Sequence, residues 1–309
     1  MFDSPFSKLT IFLSLLFSSL IIFFIFLTSY FGSKTTIVFC DVGQGDGAYI
    51  RIKNRFDILV DAGPSRKILE CLGKYMPFYD RTIELAILSH PQKDHFGGFL
   101  YILDRYDINK FWLNQVYGSS RSFEELLDKI ETKDIDLVMP KAGEKAEIFG
   151  GKIEFFWPSD EFIDKNTFSD STTHRLFRQT GLDTNEFSLI FSLDTGALKI
   201  LFTGDASPLI LNKLSDLPAG RQDQSKLKSD ILKIPHHGSK NGLTVEFLKL
   251  ADPTYGVISV GKNNSFGHPA NEVLNMLEAQ KVKVKRTDLE GDIVFKIQSS
   301  NVKSNPKSK

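Results

Sequence analysis

The first 34 residues and the rest of the chain follow different hydropathy patterns. Residues 9–31, "LTIFLSLLFSSLIIFFIFLTSYF", hold no charge, no proline and no glycine. A helix of that length, rising about 1.5 Å per residue, suits a hydrocarbon core of about 30 Å. It has no polar face, unlike a helix laid on a protein core. The apolar region of a cleaved signal peptide is shorter, roughly 7–15 residues, and "TSYFGSK" fits a cleavage site only loosely. The pattern therefore predicts a single transmembrane anchor over residues 1–34. Beyond it, short strand-like runs alternate with helical ones. "TIVFCDV" and "AYIRI" flank the glycine-rich "GQGDG" as a hairpin, and "DILVDAG" is a third strand ended by Gly63 and Pro64. The apolar run "IELAILS" reads as a strand buried on both faces. "KFWLNQV", "KIEFFWP", "EFSLIFSLDTGALKILFTGD", "DILKIPHHGS", "YGVISVG" and "GDIVFKI" are also strand-like. "FLYILDRY", "SFEELLDKIETK", "TVEFLKLA" and "PANEVLNMLEAQ" read as helices. Ser122 and Glu125 suit a capping box, and Pro269 a first helical turn. Residues 159–184 and 215–229 read as loops, and 299–309 as a polar tail. Local strand pairing followed by interleaved helices predicts a layered α/β domain over residues 35–298.

Composition changes little in that picture. At 41% hydrophobic and 25% charged residues, the 309-residue chain has the apolar mass for a sizeable core. Its 38 basic and 38 acidic residues cancel, so any attraction for phosphate must be local. Lys8 precedes the apolar span while Lys34, Arg51, Lys53 and Arg55 follow it, so basic residues alone do not orient it. The two cysteines, Cys40 and Cys71, form no metal-binding spacing. Cys40, in a strand-like run, reads as a small buried residue; a disulfide would need a proximity that sequence does not give.

Candidate chemistry collects where strands end. "LSHPQKDHFGGF" follows one buried-type strand and carries His90, Asp94 and His95. "LFTGDAS" places Asp205 after another, "ILKIPHHGS" places His236 and His237 after a third, and "FGHPAN" carries His268. Loops at strand ends are where α/β folds gather side chains without disturbing the sheet. Imidazoles and carboxylates together suit a borderline divalent cation, bound at about 2.0–2.2 Å. A lone histidine is usually an ordinary core or surface residue, but this recurrence at separate strand ends points to a metal.

"SHPQKDHFGG" resembles the HxHxDH metal motif of the metallo-β-lactamase superfamily. Together "DVGQGD", "LVDAG", "LFTGD", "LKIPHHGS", "FGHP" and "RTDLEGDIVF" resemble the C-terminal metallo-β-lactamase-like domain of ComEC-type DNA-uptake proteins. The resemblance runs from about Thr35 to Ile297 and implies an αββα sandwich binding one or two divalent ions, zinc or manganese. It implies His90 as a ligand of a first metal site and Asp94, His95 and His236 as ligands of a second. Asp205 would bridge the two sites. His237 would support the site, although sequence does not separate it from its neighbour, and Asp61 would brace the metal loop through hydrogen bonds. His268 looks like a rim residue able to contact phosphate or protonate a leaving group, which with Asp94 and Asp205 makes the catalytic set. Gln92 stands where the superfamily has a second histidine and uptake-type relatives commonly have aspartate. Asn185 stands where the third histidine of site one would be. Neutral amides there weaken site one, because they bring no formal charge.

The expectation is a membrane-tethered, metal-dependent phosphodiesterase acting on DNA in an uptake context, single-pass, with its domain outside the cell membrane. Ser239 and Lys240 would hold a phosphate, although "GSKNG" reads equally as a tight polar turn. One span makes no pore, so a separate channel protein is implied. The alternatives are a hydrolase of another ester or amide, and a catalytically weakened nucleic-acid-binding domain.

Overall fold

The computed structural model describes residues 8–31, 34–169, 176–215 and 224–298. The expected tail, 299–309, lies outside the described residues, as do parts of both expected loops.

Two seven-stranded sheets form the domain. Six strands of the first come from the N-terminal half: β1 (Lys34–Phe39), β2 (Gly47–Ile52), β3 (Phe56–Ala62), β4 (Leu85–Leu88), β5 (Lys110–Leu113) and β6 (Asp136–Val138). The second holds β7 (Lys145–Ile148), β8 (Gly151–Trp157), β9 (Ile190–Asp194), β10 (Lys199–Phe202), β11 (Ile231–Lys233), β12 (Tyr255–Ile258) and β13 (Lys283–Arg286). The last strand, β14 (Ile293–Gln298), returns to pair with β1, giving the orders β14-β1-β2-β3-β4-β5-β6 and β13-β12-β11-β10-β9-β8-β7. Each sheet is antiparallel up to one strand, β3 or β10, and parallel beyond it. The carboxyl ends of the parallel strands therefore gather on one rim.

Between the sheets lies a core that includes Phe39, Ile50, Val60, Ile87, Phe155, Phe191, Phe202 and Ile231. The outer face of the first sheet packs on α2 (Ile68–Tyr75), α3 (Lys93–Phe96), α4 (Phe99–Ile102) and α5 (Arg121–Thr132) through residues such as Leu72, Phe96, Phe99 and Phe123. The second sheet packs on α7 (Pro208–Ser215), α8 (Val245–Ala251) and α9 (Asn271–Ala279), beyond the short α6 (Asp160–Asn166). This is the expected α/β sandwich. β4 is buried on both faces because its neighbours run parallel and helices cover the sheet.

Several local expectations need correction. The first helix, α1 (Lys8–Phe31), has 24 residues, and those whose side chains are described, 8–24, are exposed. Among the described residues no helix is long and apolar enough to cross a membrane, so the transmembrane anchor is not supported. The cap of α5 is Ser120, whose hydroxyl accepts from the Phe123 amide, and Ser122 lies inside the helix. The expected loop 159–184 contains α6, started by Ser159 accepting from Phe162 N, and a small ladder of Thr167–Phe168 with Gln179–Thr180. Pro269 precedes the Ala270 cap of α9, outside the first turn. Cys40 and Cys71 are joined in a buried disulfide, Cα atoms 5.9 Å apart, that ties α2 to the end of β1.

Candidate metal centre

Elements of both sheets deliver side chains to the shared rim. Asp61 lies near the end of β3, His90 follows β4, Asp205 follows β10, and His236 and His237 follow β11. α3, directly after the His90 turn, carries Asp94 and His95. Asp94, His95, Asp205 and His237 each offer a ligand atom, and these atoms all lie within 4.8 Å of one another. His95 Nε2 is 3.3 Å from Asp205 Oδ1, while His237 Nε2 is 3.4 Å from Asp94 Oδ2 and 3.5 Å from Asp205 Oδ2.

Of the adjacent histidines, His237 and not His236 enters this group. His237 is 2% exposed; the His236 side chain is 30% exposed, with Nε2 3.9 Å from Asp205 Oδ2. Both residues take the left-handed backbone, φ 52° and 53°. That conformation costs non-glycine residues of order 1–3 kcal/mol each and persists where its surroundings fix it. Asp61, at φ 54°, shares it. The backbone at Ser89 holds Asp61, with Ser89 N and Oγ both donating to its carboxylate at 2.8 Å, and His95 Nδ1 donates to it at 2.9 Å. Asp61 thus orients His95 so that Nε2 faces the group.

Three residues important to this geometry escape the sequence reading. Asp46, in the turn "GQGDG", is 4% exposed and lies 3.1 Å from His237 Nδ1 and 2.5 Å from Lys233 Nζ. His237 Nδ1 donates to the Ser259 carbonyl at 3.0 Å, and Asp46 sets its negative charge beside that ring. The Asp46 loop fits because Gly45, at φ 135°, has no side chain to strike the Asp94 carbonyl. Lys233 is 2% exposed, and Ser89 Oγ reaches both Asp61 and His90 Nδ1, the latter at 3.0 Å. A charge inside the apolar run "ILKIP" and an aspartate between glycines were the available signals.

Electrostatics follow from this crowding. Burial alone would raise the Asp205 carboxyl, but His237 and His95 hold it well below the usual carboxylate range. Asp46 is likewise lowered, Lys233 and His237 outweighing its burial. Burial would push the imidazoles down; instead Asp205 and Asp61 raise His95 well above its ordinary value, and Asp205 and Asp46 bring His237 to about 9. His90 goes the other way, to about 3, because it is buried beside cationic His95.

The donor set fits a divalent cation. His95 Nε2, His237 Nε2 and Asp205 Oδ1 are buried without hydrogen-bond partners, although they converge. Two ligands of one ion at about 2.0–2.2 Å can be no more than about 4.4 Å apart, so the group need contract by only tenths of an ångström. On the other side, His90 Nε2 is also buried and unpartnered. There Gln92 Nε2 donates to Asn185 Oδ1 at 2.7 Å, so the two amides bind each other. His268 stands half-buried at the rim, its ring 6.1 Å from that of His236. Ser239 Oγ accepts from Asn241 N at 3.2 Å in a turn, and Lys240 is exposed.

Residues 40–262, which carry every member of this group, match the metallo-beta-lactamase superfamily model. The chain belongs to that superfamily. Within this metallo-beta-lactamase group it is similar to ComEC-type competence proteins. It is 26% identical over 297 residues to ComE operon protein 3 of Bacillus subtilis, covering 89% of this chain and 35% of that protein. It is 25% identical to competence protein ComA of Neisseria gonorrhoeae, covering 88% and 34%. The chain thus spans about a third of the length of these relatives. Among solved structures, the metallo-beta-lactamase fold protein YhfI from Bacillus subtilis superposes with a TM-score of 0.53 at 12% identity, covering 85% of this chain and 99% of that one. Zn(2+)-bound PqqB from Methylobacterium extorquens gives 0.51 at 11%, covering 84% and 99%. These structures share the fold. The chain is a metallo-beta-lactamase-fold protein with a candidate divalent-metal centre.

Proposed function

We propose that this protein cleaves phosphodiester bonds in DNA, as a metal-dependent nuclease held on the outer side of a cell membrane and working beside a separate channel protein. The observation that carries the reading is the convergence of Asp94, His95, Asp205 and His237 in a chain similar to competence proteins over most of its length. Zinc or manganese would be held by these four, with His90 on the side of a second ion. A dication bound there acidifies water and neutralises charge developing on phosphate. The chain's own residues do the rest. Asp61 and the Ser259 carbonyl fix the rings of His95 and His237, Asp46, Asp94 and Asp205 supply anionic charge, and the Asp94 side, 32% exposed, opens to solvent. His268 at the rim would donate a proton to a departing oxygen, and exposed Lys240 would meet phosphate.

The position at a membrane draws on two features. α1 presents exposed Leu9, Phe12, Phe17, Ile22 and Phe24, an apolar surface that water does not favour. A buried disulfide persists in oxidising compartments. Protease added to intact cells should digest the domain; protection until lysis would reverse the orientation. For the activity, the full chain is assayed on single- and double-stranded DNA with Mn²⁺, Zn²⁺ or Mg²⁺. Release of nucleotides is expected, abolished by Asp205→Asn, without turnover of a chromogenic lactam. A metal-replete sample inert on every phosphodiester would leave only a binding role.

A further inference from the structure

We propose that Phe266 and His268 form a stacking platform for an unpaired nucleobase, making single-stranded DNA the substrate class of the adjoining centre; the inference rests on the phosphodiesterase reading above. Phe266 is a large apolar side chain, 67% exposed, in the loop between β12 and α9. Its ring lies nearly parallel to that of His268, 17° between planes and 5.9 Å between centroids. The His268 ring is 6.1 Å from that of His236, and His236 Nε2 is 3.9 Å from Asp205. A run of rings thus starts beside the metal group and ends in solvent.

The loop that carries it is held in place. Asn264 Oδ1 accepts from His268 N at 3.0 Å, and Asn264 Nδ2 donates to the carbonyls of Gly261 and His268 at 3.0 and 2.9 Å. Gly261 N donates in turn to Gln44 Oε1 at 3.2 Å, fixing the loop against the turn that carries Asp46. An exposed aromatic ring on an anchored loop offers a π face to any base, whatever its sequence. Within a duplex, base faces are already covered by their neighbours. Only a base in a single strand or at a frayed end can lie on Phe266 while its strand runs on along the rings toward the metal group. Exposed Lys262 in the same loop, with Lys240, supplies positive charge for the adjoining phosphates.

Fluorescence anisotropy on the full chain tests this, with metal chelated so that nothing is cleaved. The probes are a labelled oligothymidylate, an abasic oligomer of equal length and a duplex. The wild type should bind the oligothymidylate about tenfold more tightly than the abasic strand, the ratio expected of one stacked base. Phe266→Ala should collapse that ratio to about twofold or less, and Phe266→Trp should restore it. An unchanged ratio in Phe266→Ala overturns the platform, and so does an equal loss on duplex and single strand. Because binding is read without turnover, a normal ratio in a chain that cleaves nothing with any metal would count against the phosphodiesterase reading alone.

Discussion

The adjacent His236 and His237 share a left-handed backbone, yet one side chain opens to solvent while the other is enclosed by Asp46, Asp94 and Asp205. Enclosure fixes the ring that is to bind an ion, so the two should differ sharply on truncation. His237→Ala is expected to remove bound metal and lower activity on the order of a hundredfold or more, His236→Ala about tenfold or less. Metal analysis beside the assay checks this, and equal losses would return His236 to the group. The same logic separates Asp94 from Gln92. Asp94→Ala deletes a charged donor of the four-residue group; Gln92→Ala deletes an amide bonded to Asn185, and should cost about tenfold, or 1.4 kcal/mol. Comparable metal loss from both would sink that asymmetry. The members of the group were legible because each stands in a short run beside glycine at a strand's end. Which histidine turns inward was not, since it depends on backbone dihedrals that the pair "HH" does not encode. Asp46 and Lys233 each left a local signal, but their partnership was illegible, because it joins positions 187 residues apart along the chain.

At the scale of elements, apolar strands announce themselves and polar edges do not. β4 and β10 were readable from their hydrophobic runs, whereas β7 ("KAEI") and β13 ("KVKR") lie at the edges of the second sheet, where lysine guards an unpaired ladder. The disulfide was also hidden, because the approach of α2 to the end of β1 is a tertiary fact. It closes a loop 31 residues in separation, and that loop contains the turn that carries Asp46. Cross-linking a loop of that size is worth roughly 3–4 kcal/mol by restricting the unfolded chain. Denaturant titration with and without reductant should show a loss of that order. Coincident midpoints would mean the bridge adds nothing.

For the molecule as a whole, the two sheets each contribute ligands, so an ion binding at the rim joins both layers. Any group that binds only the folded state stabilises it, by about 2.7 kcal/mol at a hundred times its dissociation constant. Chelation should therefore lower Tm by about 5–10 °C, and Asp205→Asn should abolish that response. A melting curve indifferent to Zn²⁺, Mn²⁺ and chelator would argue against a site that spans the sheets. The polarity of β1 has a mechanical corollary. The chain enters this strand at Lys34, the end remote from the rim, and β1 lies between β14 and β2 with both neighbours antiparallel. Its hydrogen bonds run across the strand, so a pull transmitted through α1 loads both ladders in shear, all at once, and not one rung at a time. The grip is strongest where a tether would tug, and the chemistry sits at the slack end. Pulling single molecules from the N-terminus should give a higher rupture force than pulling a polar edge strand such as β7 away from β8; equal forces would show that β1 carries no such load.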